Sequence, residues 1–370
     1  MTSMLAQTPL HDWHASHAGR MVDFAGWSMP VQYASIVAEH NATRNAVGLF
    51  DVSHMGRIRF DGPECETFLD RIVTRRVAGM RPGQIRYALV TNDQGGLLDD
   101  VLVYRLADKD GQSSYQLVVN ASNRQKIVDW LEAHPGPADD EFVDWTLDTA
   151  MIAVQGPRAL EIARPLSRID PVKLRYYQGM TSEICGTPGV ISRTGYTGED
   201  GCELIVPASA AVELWEKLFA AAKAVGGTAA GLGCRDTLRL EAGMPLYGHE
   251  LNEQINPFQA GLGYAVDLEN RSFPGCEALL KLRDNKSLPQ RVGWELDGKR
   301  VPREGYPVLS GGEPVGRVTS GTFSPTLNKP IAMGYIRGDL TAPGTEVSID
   351  IRSHHEPARC VPLPFYRRTR

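Results

Sequence analysis

Residues 95–104 have the sequence Gly-Gly-Leu-Leu-Asp-Asp-Val-Leu-Val-Tyr, an apolar strand that begins with two acidic residues. Aspartate is depleted in β-strands, so this pair is locally unfavourable. Successive side chains of a strand point to opposite faces, which puts Asp100, Leu102 and Tyr104 on one face and Asp99 on the other. The two carboxylates therefore do not form a dyad in one pocket. Asp100 either lines a ligand cavity or accepts hydrogen bonds from turn amides.

The strand at 97–105 belongs to a chain in which strands and helices alternate without a regular repeat. The Asn-Asp-Gln-Gly-Gly loop at 92–96 predicts a hairpin with a strand at 86–91. This interleaving favours an α+β fold over a doubly wound one. Further strands are predicted at 52–60, 115–120 and 151–155, and helices at 33–47, 64–73, 120–131 and 209–225.

Two of these helices carry specific predictions about their ends and faces. The segment 120–122 offers a capping side chain for the helix that runs to Leu131, and Ser209 is the predicted N-cap of the helix at 209–225. Apolar residues recur in that last helix at helical spacing, which predicts packing in a core. They are Val212, Leu214, Trp215, Leu218 and Phe219.

The character of the sequence changes after about residue 287, where long helices disappear. Short β-like runs alternate with Gly/Pro turns, which predicts a small antiparallel barrel or jelly roll. The runs lie at 291–296, 314–319, 331–336 and 346–351. We therefore expect two regions, 1–285 and 286–370.

Composition limits the possible functions. The chain has 370 residues, 42% hydrophobic and 22% charged, with a formal net charge of −5. These values fit an ordinary globular protein of two or three domains and give no basic footprint for nucleic acid or an anionic membrane. No window approaches the roughly 18 apolar residues of a membrane helix. We expect neither a nucleic acid nor a membrane as a partner.

Cysteine usage and the N-terminus indicate the compartment. The six cysteines are widely spaced and form no Cys-x-x-Cys, so we expect reduced, mostly buried thiols and a cytoplasmic location. The first 21 residues lack the basic start and apolar stretch of a signal peptide. His11, His14 and His17 share a helical face and could bind a metal, but a solvated N-terminal segment is the favoured interpretation.

Two further segments could carry chemistry. Residues 193–203, Arg-Thr-Gly-Tyr-Thr-Gly-Glu-Asp-Gly-Cys-Glu, match neither a P-loop nor a dinucleotide fingerprint and predict a hairpin turn. Tyr196 and Glu203 flank that turn and could face one cavity from adjoining strands. Arg235 opens an apolar helix after Gly231-Leu232-Gly233. Its guanidinium could clamp a carboxylate bidentately or form an ion pair, and the sequence favours neither.

Five segments, taken together and in order, resemble the T-protein family of the glycine cleavage system. The stretch after residue 315, Val-Gly-Arg-Val-Thr-Ser-Gly through Ala-Met-Gly-Tyr at 332–335, resembles the barrel domain of that family. The resemblance covers essentially the whole chain. The five segments are Phe-Ala-Gly-Trp-Ser-Met-Pro-Val-Gln-Tyr at 24–33, Phe-Asp-Val-Ser-His-Met-Gly at 50–56, Gly-Gly-Leu-Leu-Asp-Asp at 95–100, Arg-Thr-Gly-Tyr-Thr-Gly-Glu-Asp-Gly at 193–201 and Leu-Tyr-Gly-His-Glu-Leu at 246–251.

The resemblance implies a three-domain cloverleaf around a central funnel for tetrahydrofolate, which is a co-substrate. It also implies a lipoylated H-protein as the aminomethyl donor, other glycine cleavage components as partners, and no metal or flavin. Asp100 matches the catalytic acid of the family, and Glu203 matches the carboxylate that binds the pterin edge. The other matching positions of the folate pocket are Met55, Tyr87, Leu102, Tyr104, Tyr176, Tyr196 and Arg235.

Related families leave two alternatives. A folate-dependent demethylase of a small molecule would keep the pocket and change its rim. A non-catalytic folate-binding protein of iron–sulfur assembly would carry a Lys-Gly-Cys-x-x-Gly-Gln-Glu signature, but the comparable segment here, 244–250, has no cysteine. Sarcosine and dimethylglycine dehydrogenases append this fold to a flavin domain, and the sequence contains no Gly-x-Gly-x-x-Gly for one.

Overall fold

The computed structural model describes residues 4–134, 142–285 and 287–368. Helices and strands are interleaved along these ranges, as the sequence predicts. The α-helices are α1 His11–Ser16, α2 Ile36–Asn45, α3 Cys65–Ile72, α4 Arg124–Ala133, α5 Ala159–Ala163, α6 Ala211–Ala224, α7 Leu232–Glu241 and α8 Cys276–Leu282.

The strands form four sheets within the described residues. A two-stranded sheet pairs β1 with β2, and a five-stranded sheet has the order β5-β6-β7-β4-β8. A six-stranded sheet has the order β10-β11-β12-β9-β3-β13, and β14-β17-β16-β15-β18-β19 close into a barrel. The strands are β1 Arg20–Phe24, β2 Trp27–Gln32, β3 Gly48–Asp51, β4 Gly56–Asp61, β5 Ile85–Thr91, β6 Leu97–Arg105, β7 Ser114–Val119, β8 Phe142–Asp144, β9 Thr149–Gln155, β10 Gly179–Ile184, β11 Thr187–Ser192, β12 Gly201–Pro207, β13 Thr228–Ala229, β14 Gln290–Leu296, β15 Pro307–Ser310, β16 Glu313–Ser324, β17 Lys329–Ile336, β18 Glu346–Ile351 and β19 His354–Val361.

The chain divides into two compact units. The first contains the chain up to Ala88 together with Asp100–Gly195 and Glu199–Arg235. The second contains Leu89–Asp99, Tyr196–Gly198 and the chain from Asp236 onward. The chain therefore passes between the units more than once.

The main core of the first unit lies between α6 and the six-stranded sheet. Trp215 and Leu218 of α6 share one buried cluster with Ile152 of β9 and Leu204 of β12. Burial of each such side chain stabilises the fold by about 1.5–3 kcal/mol. The predicted core face of this helix is confirmed for most of its residues, but Val212 is 42% exposed.

Both predicted N-caps are wrong. A 3-10 turn, Ala208–Ala210, precedes α6, and the N-cap position falls on Ala210, which makes no side-chain capping bond. A second 3-10 turn, Ala121–Asn123, precedes α4, and the side chain of Asn120 does not cap it. In both places the chain tightens into a 3-10 turn before the α-helix, which moves the first orphan amides away from the predicted side chain.

The predicted strand at 52–60 begins four residues later than expected. Strand β3 ends at Asp51 and β4 begins at Gly56. The Asp51 side chain accepts a hydrogen bond from the backbone N–H of Ser53 at 2.9 Å, and the N–H of Met55 donates to the carbonyl of Val52 at 3.1 Å. A short acidic side chain that bonds its own backbone two residues on produces a turn. Residues 52–55 therefore form a loop.

The helix predicted at 33–47 begins later than expected. Ser35 is its N-cap and accepts a hydrogen bond from the N–H of Ala38 at 3.2 Å, so the helix starts at Ile36. Tyr33 lies before the helix, and its N–H donates to the carboxylate of Glu39 at 2.6 Å.

The C-terminal region forms the predicted antiparallel barrel. All six strand pairs of the closed barrel are antiparallel. Its interior is apolar, with Trp294 and Ile349 fully buried in one cluster with Val308 and Val318. The α+β class and the barrel are confirmed.

The N-terminal segment is not solvated as predicted. His14 on α1 is fully buried, and its Nε2 lies 2.9 Å from a carboxylate oxygen of Asp51. Its Nδ1 lies 2.8 Å from the hydroxyl of Tyr33. The hydroxyl of Thr8 also donates to Asp51, at 2.6 Å. The segment packs because these partners satisfy a buried imidazole from both sides.

Candidate active site

Asp100 is held by hydrogen-bond donors from two neighbouring segments. The hydroxyl of Tyr87 on β5 donates to Oδ2 at 3.0 Å, and the amide of Asn120 donates to Oδ1 at 2.8 Å. Burial raises the pKa of Asp100, while these two bonds act in the opposite direction. The result is a carboxylate with fixed geometry and an unfavourable environment for its charge. Such a group responds strongly to a nearby cation.

Asn120 is a partner of Asp100 that sequence reasoning missed. The pairing of β6 with β7 sets Leu102 opposite Val118 and Val103 opposite Leu117. The same register continued by two residues places Asp100 opposite Asn120. Opposed residues of an antiparallel pair lie within side-chain reach of each other. The feature that would identify Asn120 as a partner of Asp100 is therefore the pairing register of β6 and β7.

Glu203 stands at the end of a chain of hydroxyl groups. On β12 it lies opposite Ser192 of β11, and it accepts a short hydrogen bond from the hydroxyl of Thr194. The hydroxyls of Ser192 and Thr194 are 2.8 Å apart. The hydroxyl of Tyr104 reaches Ser192 at 3.3 Å. Tyr104 and Asp100 lie on the same face of β6. This series of hydroxyl groups therefore connects the strand of Asp100 with Glu203.

The charge of Glu203 is set by burial and by Arg235. Only 5% of Glu203 is exposed, and burial raises the pKa of its carboxyl. The hydrogen bond from Thr194 and the positive charge of Arg235 pull that pKa down. Arg235 on α7 therefore lies close enough to stabilise the ionised carboxylate. The structure thus gives Arg235 an electrostatic effect on Glu203, while its role as a ligand clamp or as one half of an ion pair stays a prediction.

Met55 lies in the loop 52–55, which one arginine holds in place. Arg57 is fully buried and donates to the carbonyls of Met55 at 2.6 Å and Ser53 at 3.1 Å. It also donates to the carbonyl of Thr149 at 3.0 Å. Burial lowers the pKa of Arg57 to about 10, so it keeps its charge at neutral pH. Several backbone acceptors compensate for its desolvation.

His54, the residue before Met55, is a second group that sequence reasoning passed over. It is 4% exposed, and burial lowers the pKa of its imidazole to about 4. Asp51 opposes that shift, while Arg235 and Arg57 add to it. His54 is therefore neutral at physiological pH and presents no positive charge beside Arg235.

Two of the predicted aromatic residues line one cavity of about 290 Å³. Tyr87 and Tyr176 both contribute to its wall, and Tyr176 is half exposed. Tyr87 also donates to Asp100, so one residue both lines the cavity and contacts the candidate catalytic carboxylate. Leu102 lies on the same strand as Asp100 and is partly buried.

The sequence predicts Tyr196 on a strand, but the structure places it in a loop. It falls in the connection between β11, which ends at Ser192, and β12, which begins at Gly201. Its hydroxyl donates a short hydrogen bond to the carbonyl of Pro245. Both residues belong to the second compact unit. The glycine-rich sequence at 195–201 forms a long turn because glycine permits such backbone angles.

Other features of the described residues bear on the class of protein. No group of three or more His, Cys, Asp or Glu residues in the described part is arranged to hold a metal ion. In the ranges that the structure covers, no helix has the length and apolar character needed to span a membrane. All six cysteines are free thiols, and five of them are buried.

The chain matches known proteins over its full length. Residues 10–270 match the family described as the GCVT N-terminal domain, and residues 290–367 match the glycine cleavage T-protein C-terminal barrel domain. A curated aminomethyltransferase from Streptomyces coelicolor is 46% identical over 369 residues, covering 98% of this chain and 98% of that protein. A curated aminomethyltransferase from Moorella thermoacetica is 44% identical and also covers 98% of both chains.

The fold has a solved counterpart. The crystal structure of the glycine cleavage system aminomethyltransferase T from Bartonella henselae matches with a TM-score of 0.91 at 33% identity, covering 98% of each chain. Together with the family matches, this defines the chain as an aminomethyltransferase, a tetrahydrofolate-dependent transferase. Within that class it belongs to the glycine cleavage T-protein family. The resemblance found in five sequence segments is confirmed.

Proposed function

We propose that Asp100 is the catalytic carboxylate for transfer of a methylene group from an aminomethyl donor to tetrahydrofolate. The donor is the lipoyl arm of an H-protein, working with the other glycine cleavage components. The observation that carries the assignment is the setting of Asp100, which is partly buried and held by Tyr87 and Asn120 at 3.0 and 2.8 Å. Neither donor carries a positive charge, so the charge of the carboxylate remains available to a cationic centre.

The balance of the reaction explains why one carboxylate suffices. One carbon–sulfur bond to the lipoyl arm and one carbon–nitrogen bond to ammonia break, and two carbon–nitrogen bonds to the folate form. The two N–H protons of the folate end on the released ammonia and thiol, so no oxidant or reductant is needed. Positive charge develops on the carbon as it moves. Asp100 would stabilise that charge and orient the folate nitrogens.

Glu203 would bind the other end of the folate. The pterin presents an amino-pyrimidinone edge with two adjacent donors, which a carboxylate can accept bidentately. Glu203 is buried beside the Thr194 hydroxyl, which orients it, and both that hydroxyl and the charge of Arg235 oppose the rise in its pKa that burial causes. Tyr104 would add an apolar wall whose hydroxyl is already satisfied by Ser192.

The remaining assignments belong to the same proposal. Met55, Leu102, Tyr87, Tyr176 and Tyr196 would form the apolar and aromatic walls around the pterin and benzoyl rings. Residues 1–285 would be the folate-binding region and 286–370 a separate barrel domain. The chemistry requires neither a metal nor a flavin. The six free thiols support a cytoplasmic location, where reduced cysteines persist.

Binding of a reduced folate tests the site. We expect 5-formyltetrahydrofolate to bind with roughly micromolar affinity, about −8 kcal/mol, in titration calorimetry. The Glu203→Gln variant should bind about 10 to 100 times more weakly, because it replaces charge-assisted hydrogen bonds of about 1.5–3 kcal/mol with neutral ones. Glu183→Gln is the matched control, since Glu183 is an exposed carboxylate on β10. A flat calorimetric trace with the unmodified protein would remove the basis of the proposal.

The identity of the donor needs a second experiment. A lipoylated H-protein charged with formaldehyde and ammonia should release ammonia when mixed with the enzyme and tetrahydrofolate. An enzyme that ignores this carrier but demethylates a free small molecule would be a demethylase. Folate binding without either reaction would indicate a non-catalytic folate-binding protein. Metal analysis and the visible spectrum of the purified protein check that no metal or flavin accompanies it.

A further inference from the structure

His54, in the loop 52–55, is a buried imidazole that forms no hydrogen bond with any described residue. Only 4% of the residue is exposed, and its Nδ1 is enclosed by protein. His14, which is also buried, shows the usual arrangement, with Asp51 at one ring nitrogen and Tyr33 at the other. A buried polar group that stays unpaired costs stability. The fold alone therefore gives no reason for a histidine at position 54.

The loop around His54 is rigid, so the ring is held in place. The hydroxyl of Ser53 donates to the carbonyl of Met151 at 3.3 Å and accepts from the N–H of Met151 at 3.0 Å. Arg57 donates to the carbonyls of the residues on both sides of His54. The ring itself is in edge contact with the ring of Phe24, with centroids 5.5 Å apart. A partner for the imidazole must therefore come to it, and a ligand that enters the site is such a partner.

His54 lies close to residues that are proposed to bind the pterin. It directly precedes Met55, and the charge of Arg235 acts on both His54 and Glu203. Burial lowers the pKa of His54 to about 4, so the ring is neutral at physiological pH and carries one N–H. Since Nδ1 is enclosed, this N–H can meet a ligand only from Nε2. The site thus offers a neutral donor near the guanidinium that accompanies Glu203.

The pterin edge that Glu203 would bind has three hydrogen-bonding groups in a row. They are the 2-amino group, the N3–H and the 4-oxo oxygen, in the pattern donor, donor, acceptor. Glu203 can accept from the first two but cannot serve the third, because an ionised carboxylate has no proton to donate. The 4-oxo oxygen therefore requires a donor beside Glu203. A neutral donor suits this position, because N5 is next to the 4-oxo group and an added positive charge would oppose the cation that forms there.

We propose that the Nε2–H of His54 donates to the 4-oxo oxygen of the pterin and makes the enzyme select 4-oxo over 4-amino pterins. The inference rests on the proposed function, because Glu203 must hold the neighbouring groups of the same ring. A site built to donate a hydrogen bond rejects an analogue that cannot accept it, since the buried donor is then left unpaired. A change of tautomer would let the ring accept from a 4-amino group, but it would leave the N–H at the enclosed Nδ1.

The first test measures folate affinity in two variants that differ in the donor. In titration calorimetry with 5-formyltetrahydrofolate, His54→Leu should bind about three- to tenfold more weakly, through loss of one neutral hydrogen bond. His54→Gln should stay within about twofold of the unmodified enzyme, because its amide N–H can replace the imidazole donor. His355→Leu, at an exposed histidine on β19, is the matched control and should leave the affinity unchanged.

The second test changes the ligand at position 4. The 4-amino-4-deoxy analogue of 5-formyltetrahydrofolate should bind the unmodified enzyme more weakly in competition experiments. The analogue also lacks the N3 proton, so part of this weakening comes from Glu203. His54→Leu should leave the affinity for the analogue unchanged. The preference for the 4-oxo ligand should therefore fall about three- to tenfold in this variant.

Thermal melting without folate separates a binding role from a packing role. Leucine is close to histidine in volume and needs no hydrogen bond, so His54→Leu should not lower the melting temperature. A ring that serves only the fold would give the reverse result, with a lower melting temperature and unchanged folate affinity.

The outcomes separate this inference from the proposed function. Unchanged folate affinity in His54→Leu would overturn the inference. An equal loss in His54→Leu and His54→Gln would show that the shape of the ring matters and the donor does not. An equal loss for the 4-oxo and 4-amino ligands would show that His54 does not contact the 4-oxo group. In these three results the unmodified enzyme still binds 5-formyltetrahydrofolate, whereas its failure to bind that ligand would defeat the proposed function itself.

Discussion

Replacement of Asp100 by asparagine should remove most of the turnover and leave the site intact. Asparagine keeps an oxygen that can accept from Asn120, and its amino group can donate to the oxygen of the Tyr87 hydroxyl. The two hydrogen bonds of 2.8 and 3.0 Å can therefore both be replaced, and the negative charge is the principal loss. Loss of one preorganised electrostatic contact costs about 3–4 kcal/mol in the transition state. The rate should fall roughly 10² to 10³-fold.

The assay needs a control for folding. Transfer from the charged H-protein is measured for Asp100→Asn beside folate affinity and thermal melting, and folate affinity should change only slightly. Asp99→Asn is the matched variant, because Asp99 is fully buried on the opposite face of β6. It should lower the melting temperature and leave turnover of the folded enzyme within a few-fold. Full turnover by Asp100→Asn, or a dead Asp99→Asn enzyme that still folds, would refute the assignment.

Three further predictions concern pH and stability. Tyr87→Phe removes a hydrogen bond that lowers the pKa of Asp100, so the acid limb of the kcat profile should move to higher pH, and an unmoved limb would mean that the ionised Asp100 is not required. Arg239→Met leaves the fully buried carboxylate of Glu250, which lies 2.7 Å from the guanidinium, without its charged partner. The free energy of unfolding in urea should fall by about 3–5 kcal/mol, and a loss below 1 kcal/mol would contradict this. Asp51 has its pKa lowered to about 2, so its ionisation stabilises the fold above about pH 4 and stops doing so toward pH 2. Asp51→Asn should therefore cost about 2 kcal/mol in urea at pH 7 and less at pH 3, and an equal cost at both would show that charge is not the cause.

The parts of the fold that the sequence predicts are those set by local patterns. Side chains alternate in direction along the strand at 97–105, and this alternation alone separates Asp99 from Asp100. The Gly/Pro-punctuated runs after residue 287 predict the barrel because they too are local. The predicted helix starts are wrong because capping depends on the last few backbone angles, and 3-10 turns before α4 and α6 shift them.

The parts of the site that sequence reasoning missed depend on long-range register. Asn120 reaches Asp100 only because β6 and β7 pair in one particular register. The hydroxyl chain from Tyr104 to Ser192 joins residues 88 positions apart. The sequence predicts His14 in solvent because nothing near it along the chain could satisfy a buried imidazole, and its partner Asp51 lies 37 residues away. No local pattern contains this information.

The net charge of the chain and the charges around one cavity also point in different directions. A formal net charge of −5 suggests no affinity for anions, yet the first unit gathers three arginines around one cavity without an acidic residue among the described lining. An anion responds to the groups within about a Debye length of roughly 8–10 Å, beyond which salt screens most of the field. The net charge of the whole chain therefore says little about which ligand this cavity binds. Arg75, Arg86 and Arg175 line one cavity together with the tyrosine that donates to Asp100, and that placement exists only in the folded chain.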